Sequence, residues 1–255
     1  MKYKKSEAKE YAREHMVGVW AANLTPFDAS LKLDEKAYRE NLDHWINTLN
    51  LGGLFIAGKQ AEFFSMSLAE RKKLMELSVE VAHEAGNRNS KGHCGIVTSC
   101  SDTNLDVVLD LAKHSQDIGA DYVIVHSPVL HFGADTDDTI YEYYRYLSEK
   151  IDIGLAMWNH PDCGYVMSPE LCARIADLPN VVAIKYSTDR EKYKRLTEMV
   201  GNKIHVSNPD EPDWLENIIE LGWKLYLCST PPFLLQTAAD QRMNEYTQLA
   251  FAGKF

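Results

Sequence analysis

No stretch of this sequence is apolar over the roughly 18–20 consecutive residues that a membrane-crossing helix needs, so no membrane span is expected. Positive charge is also in short supply. Lys and Arg number 27 against 37 Asp and Glu, for a net charge of −10, and only Lys2, Lys4 and Lys5 form a basic cluster. Neither a nucleic-acid backbone nor an anionic membrane surface would be attracted to such a chain. The five cysteines, Cys94, Cys100, Cys163, Cys172 and Cys228, are odd in number and contain no CxxC spacing. That argues against a disulfide framework and for a reduced, cytoplasmic setting. Glycine-rich dinucleotide fingerprints, the GxSxG elbow and the HxH and HExxH pairs are missing too, which removes support for nicotinamide cofactors, serine-hydrolase chemistry and zinc-protease chemistry. With no linker or low-complexity tract, residues 1–255 read as a single domain.

What is present is a rhythm. Eight apolar, β-rich runs recur: Val17 to Ala22, Gly53 to Ala57, Cys94 to Thr98, Tyr122 to His126, Gly154 to Trp158, Val181 to Lys185, Lys203 to Ser207 and Lys224 to Cys228. Stretches of helical periodicity separate them, near 34–48, 68–85, 102–117, 138–150, 168–177, 189–200, 210–220 and 233–252. Helix starts agree, with Ser67 before Glu70 and Thr188 before Glu191 in capping-box spacing, and proline placed after Ser168 and Asn208. Strict alternation means parallel strands, and eight units in this length predict a (β/α)8 TIM barrel, with a doubly wound open sheet as the alternative.

In a barrel the chemistry gathers at the C-terminal ends of the strands, so the residues closing each run become candidates. Lys185 ends the run Val181-Val182-Ala183-Ile184-Lys185. Period-2 alternation puts Val181, Ala183 and Lys185 on one face, aimed into the barrel, and burial there would disfavour the ammonium form and create a nucleophile. The loop Gly58-Lys59-Gln60-Ala61-Glu62 offers backbone N–H groups and the Gln60 amide to a carboxylate. Gly53 to Lys59 also spells the start of a phosphate-binding loop, but Leu54 to Ala57 reads as strand and Gln60 stands where Mg²⁺ binding needs Ser or Thr. His126, His131 and His160, all at strand ends, leave a metal site open as a weaker reading.

These residues together resemble the dihydrodipicolinate synthase/N-acetylneuraminate lyase family of class I aldolases, over nearly the whole chain. The similarity runs through Asn23-Leu24-Thr25-Pro26-Phe27, through Gly58 to Glu62 at the place of a Gly-Thr-Thr-Gly-Glu motif, and through Ser127-Pro128. It continues through Trp158-Asn159-His160-Pro161, similar to Tyr-Asn-x-Pro, and Ala183-Ile184-Lys185, similar to Gly-Ile-Lys. The resemblance implies that Lys185 forms an imine with pyruvate or another small 2-oxo acid, that no cofactor is needed, and that the chain assembles as a homo-oligomer, a dimer or tetramer. It implies a substrate-binding set of Gly58, Lys59, Gln60, Thr25, Leu130 and Leu227. The departures are as informative. Trp158 stands at the place of the family's proton-shuttling tyrosine, Leu130 at that of a second tyrosine, Cys163 near that of a substrate-binding arginine, and the family's C-terminal helical bundle is expected to be missing. Trp158 then becomes an apolar wall suited to a bulkier or aromatic reactant, while His160, His131, Lys59 or a water takes over proton transfer. A non-catalytic barrel that binds a small carboxylate is the alternative function.

Overall fold

The computed structural model describes residues 1–88, 94–128 and 136–254. A short helix, α1 (Ala8–His15), leads into eight parallel strands: β1 (Gly18–Ala22), β2 (Gly53–Ile56), β3 (Gly95–Ser99), β4 (Tyr122–His126), β5 (Gly154–Asn159), β6 (Val181–Tyr186), β7 (His205–Ser207) and β8 (Leu225–Leu227). Between successive strands come α2 (Glu35–Asn47), α3 (Leu68–Arg88), α4 (Leu105–Ile118), α5 (Thr136–Lys150), α6 (Pro169–Ala176), α7 (Arg190–Val200) and α8 (Trp214–Leu221), with α9 (Pro232–Leu235) and α10 (Arg242–Phe251) after β8. The strands pair in the order β7-β6-β5-β4-β3-β2-β1-β8. Among the described residues only the β7–β8 seam lacks a backbone ladder, and there the Leu227 N–H donates to Ser207 Oγ at 2.8 Å. The molecule is a nearly closed (β/α)8 barrel, as the alternation predicts.

One apolar layer lies between strands and helices, and a second fills the barrel. Trp20 plugs the lower interior, and its neighbours are glycines for a steric reason. A Cβ on Gly53 would sit 2.3 Å from the indole, and one on Gly95 2.2 Å from it. Gly95→Ala is therefore expected to destabilise the fold by about 3 kcal/mol or more, the upper range for overpacking, as a lowered urea midpoint. Below Trp20, Ala8 and Ala12 of α1 and Met16 just after it join Tyr3, Tyr11 and Tyr122 to close the barrel floor, and Lys2 pairs with Asp121 at 2.7 Å. The lysine-rich N-terminal segment thus caps the fold.

Local rules hold at some element ends and yield at others. Ser67 and Glu70 form the expected reciprocal cap, with the Ser67 N–H on the glutamate at 3.0 Å and the Glu70 N–H on Ser67 Oγ at 3.2 Å. Ser168 caps α6, which starts at Pro169. At α7, however, Asp189 rather than Thr188 is the cap, because its carboxylate is in reach of the Lys192 N–H at 3.0 Å. After Asn208-Pro209 the chain makes a short turn at Glu211–Asp213 before α8 begins. The single helix expected over 233–252 is broken: Gln236 is extended and buried. Its amide donates to the Leu49 carbonyl, and its oxygen accepts from the Asn244 N–H at 3.2 Å. Satisfying that buried carbonyl outweighs helix continuity.

Candidate active site

Lys185 sits where the alternation points, near the end of β6, but not by the alternation expected. Leu155 of β5 pairs with Val181 whereas Ala156 pairs with Ala183, so Val182 is an extra residue in the strand. Val181 consequently faces the outer layer, and Val182 and Ala183 both face the interior. This irregularity re-aims the strand end. The Lys185 side chain is 1% exposed. Its Nζ donates to the Cys228 carbonyl at 2.8 Å and to Ser229 Oγ at 2.9 Å, and lies 5.2 Å from the Phe55 ring centre and 5.6 Å from that of Trp158. Burial lowers its pKa from the usual 10.5 to about 8, with Lys59 adding a smaller push the same way against Cys228 and Asp210. At pH 7 about one amine in ten is then neutral, against fewer than one in a thousand for a free lysine. A neutral amine has two N–H bonds and a lone pair, so two fixed acceptors orient the lone pair.

Trp158, the register partner of Lys185 on the neighbouring β5, is 2% exposed and meets Phe55 edge-on at 4.9 Å. His126 lies against its indole at 3.8 Å, and Lys59 Nζ stands 5.8 Å from the ring centre. A polar group surrounds this face. Lys59 Nζ contacts His160 Nδ1 at 2.9 Å and pairs with Asp162, and the Asp162 N–H donates to His160 Nδ1 at 3.2 Å. Burial, then the Lys59 charge, lowers the pKa of His160. His126 is driven by burial, again with Lys59, down to about 3, so its imidazole is neutral at every physiological pH. Its Nδ1 contacts the Cys163 thiol, whose pKa burial raises.

The other expected residues divide. Gly58, Lys59 and Gln60 do reach the mouth, on the loop after β2, where Lys59–Ala61 forms a single 3-10 turn. Two of that loop's N–H groups are spent within it, Ala61 on Gly58 O at 3.1 Å and Glu62 on Lys59 O at 2.9 Å. The Gln60 side-chain oxygen is buried without a partner among the described residues. Thr25 braces the loop instead of facing the mouth, its hydroxyl donating to Ala61 O at 2.9 Å. Leu227 lies in the interior layer with Phe55 and Trp158. Leu130 and His131 fall outside the described residues. Among the described residues, no group of three or more His, Cys, Asp or Glu side chains is placed to hold a metal ion, and no helix is long and apolar enough to cross a membrane.

Sequence reasoning assigned no role to Ser229, the Cys228 carbonyl or Asp162. Ser229 lies two residues past the end of β8 and Asp162 three past the end of β5. Their roles depend on which long side chain swings toward them, and no spacing encodes that.

The lysine is thus buried near the end of the sixth strand, with the Gly58 to Glu62 loop after the second and Trp158-Asn159-His160-Pro161 running off the end of the fifth. A model of the dihydrodipicolinate synthetase family matches residues 15–254. The chain belongs to that family. An uncharacterized DapA-like lyase of Thermococcus kodakarensis is 32% identical over 181 residues, covering 71% of this chain and 58% of the relative. Dihydrodipicolinate synthase from Aquifex aeolicus superimposes with a TM-score of 0.81 at 19% identity, covering 94% of this chain and 76% of that one. A chloride-inhibited dihydrodipicolinate synthase from Acinetobacter baumannii, solved as a complex with pyruvate, gives 0.80 at 21% identity, covering 93% and 76%. The chain spans about three-fifths of the length of the curated relatives it matches. The indole N–H of Trp158 is a donor only and does not titrate, so this side chain cannot itself take up and return a proton beside Lys185.

Proposed function

We propose that the protein is a class I aldolase-type lyase in which Lys185 forms an imine with pyruvate or another small 2-oxo acid, without a cofactor. The observation that carries this reading is the Lys185 amine itself. It is buried at the barrel mouth, held by two acceptors, and brought by desolvation to a pKa of about 8. A lysine that served only to end a strand would reach for water and keep its charge. The pyruvate complex of the Acinetobacter relative supports the substrate class, and the DapA-like lyase name of the Thermococcus relative supports the reaction class. Assembly as a homo-oligomer and a cytoplasmic setting belong to the same proposal.

Imine formation needs an acid to carry off water, and the following enamine step needs a base. The Lys59–His160–Asp162 group supplies both kinds of site. Lys59 Nζ is a hydrogen-bond donor to Asp162 beside His160 Nδ1, and burial, then Lys59, lowers the His160 pKa and so favours the neutral imidazole. A positioned acid or base contributes about 10²–10⁴ in rate, so this group replaces what Trp158 lacks. The test is to mix the protein with pyruvate and borohydride and digest it for mass spectrometry. A reduced three-carbon adduct on Lys185 is expected. No adduct with pyruvate or any of a panel of 2-oxo acids would refute the proposal.

One observation favours a second reading, a non-catalytic barrel that binds a carboxylate: the amine is packed between Phe55 and Trp158 with 1% exposure. Under that reading Lys185→Ala leaves pyruvate affinity unchanged in calorimetry, whereas imine chemistry makes it fall.

A further inference from the structure

At the end of the barrel opposite to Lys185, where β7 and β8 begin, lies a cavity of about 260 Å³ whose lining includes Arg13, Thr197, His205, Gly222, Trp223 and Lys224. It sits at the foot of the β7–β8 seam, the joint without a backbone ladder among the described residues. Its volume falls just below the roughly 300 Å³ at which sites for drug-sized molecules usually start, so an occupant has to be small.

The neutral polar groups of this cavity are already engaged. Trp223 Nε1 donates to Thr197 Oγ1 at 3.0 Å, that hydroxyl donates to the Tyr193 carbonyl at 2.8 Å, and His205 Nε2 meets the Ala12 carbonyl at 3.0 Å. The ends of α7 and α8 are closed by their own backbone. The Thr197 and Val200 carbonyls accept from the Gly201 and Lys203 N–H groups at 2.8 and 2.7 Å, and those of Ile218 and Asn217 from Gly222 and Trp223 at 3.1 and 3.2 Å. Cations commonly answer the carbonyls at helix C-termini, but here these carbonyls are taken. Arg13 and Lys224 have no carboxylate partner among the described residues, and the Lys224 ammonium rests 4.5 Å from the Phe251 ring centre. Two further cations stand beside Arg13. Burial lowers the pKa of Lys9, and Lys203 and Arg13 push it further down against Asp177, which Lys203 holds at 2.5 Å. In a chain of net charge −10 this is a local concentration of positive charge, gathered from positions 9, 13, 203 and 224.

We infer that this cavity binds a small organic oxyanion, a carboxylate or a phosphate ester, whose charged head is held between Arg13 and Lys224. Its short apolar body lies against Ile204, Leu221 and Trp223, which share the same wall. The guanidinium fork suits either head group, and two unpaired cations suit a doubly charged ligand. A long polyanion is disfavoured, because beyond the cavity it would meet a surface of its own sign. The bound ligand spans the seam, with Ile204 and His205 at the start of β7 on one side and Trp223 and Lys224 just before β8 on the other. It thereby ties together two segments that the backbone leaves without a ladder. Lys185 takes no part in this site, which stands whatever chemistry that amine performs.

The test titrates glycerol 1-phosphate and, separately, glutarate into the protein by calorimetry at low salt. Neither probe has a ketone or aldehyde, so neither forms an imine. Binding of at least one is expected, weaker at higher salt, and the stronger of the two tells a phosphate ester from a carboxylate. The double substitution Arg13→Gln, Lys224→Gln is expected to weaken it about tenfold or more. Both side chains are exposed, so these changes spare the core. Hydrogen exchange then reads the clamp: the bound probe is expected to slow the amides of 204–207 and 223–227 more than those of the other strands. Failure of both probes to bind, or binding indifferent to the double substitution, would overturn the site. A double variant that loses urea resistance while its probe affinity is unchanged would show that the two cations serve the helix ends alone. Protection spread evenly over the barrel would overturn the clamp across the seam.

Discussion

Lys185→Met is expected to abolish the borohydride-trapped adduct and, in the same protein, to raise resistance to urea at pH 7. The first outcome follows from removing the only nitrogen that the β6 end presents to the barrel mouth. The second follows from what the fold spends to hold that nitrogen. A pKa that falls from 10.5 in the unfolded chain to about 8 in the native one means the folded state disfavours the proton, at about 1.4 kcal/mol for each tenfold. At pH 7, below both values, the full penalty of roughly 3 kcal/mol acts against folding. Methionine removes it while keeping the volume, but leaves the Cys228 carbonyl short of a partner. A net gain of about 1–2 kcal/mol remains. The sign with pH is fixed. Between pH 8 and 10.5 the unfolded wild-type chain binds the proton more tightly, so wild-type stability rises across that window and the advantage of the variant shrinks. Urea titrations at pH 7 and near pH 10 check this. An equal difference at both, or a variant weaker at pH 7, would show that the amine is not desolvated.

Trp158→Tyr is expected to act in the opposite direction on the chemistry, speeding the appearance of the pyruvate adduct by about 10². The indole lies 5.6 Å from the Lys185 amine and packs on Phe55 and His126. A phenol is smaller and brings a hydroxyl that can donate and accept. The Trp158 indole Nε1, by contrast, is buried without a partner among the described residues. Trp158→Phe separates the two contributions, because it opens the same space with no hydroxyl. Timed borohydride quenching of all three proteins reads the rates. Should the phenylalanine variant match the tyrosine variant, the gain would come from access, and proton transfer through this position would play no part.

The barrel was legible because its signal is repeated: eight apolar runs alternate with helical periods, and each confirms the others. The lysine was legible for the same reason, since strand ends in such a fold are few. What escaped the sequence was set by single contacts. Val182 adds one residue to β6 without altering its apolar character, so alternation assigned Val181 to the wrong side. Gln236 looks like any helix-forming residue, and only the position of the Leu49 carbonyl explains why the last helix stops there. Lys59 was visible as a new cation beside the expected carboxylate site, whereas its pairing with Asp162 depends on the turn that brings residues 103 apart in sequence into contact. Thr25 carries a motif position and spends its hydroxyl on the neighbouring loop.

The Lys185 amine also has a mechanical role. Its bonds to the Cys228 carbonyl and Ser229 run from β6 past β7 to the segment following β8, making a chord over the one gap that is bridged by a side chain rather than a ladder. An iminium nitrogen carries a single hydrogen, so it can keep just one of those two ties. Each covalent cycle would slacken the ring at its weakest joint and tighten it again when the product leaves.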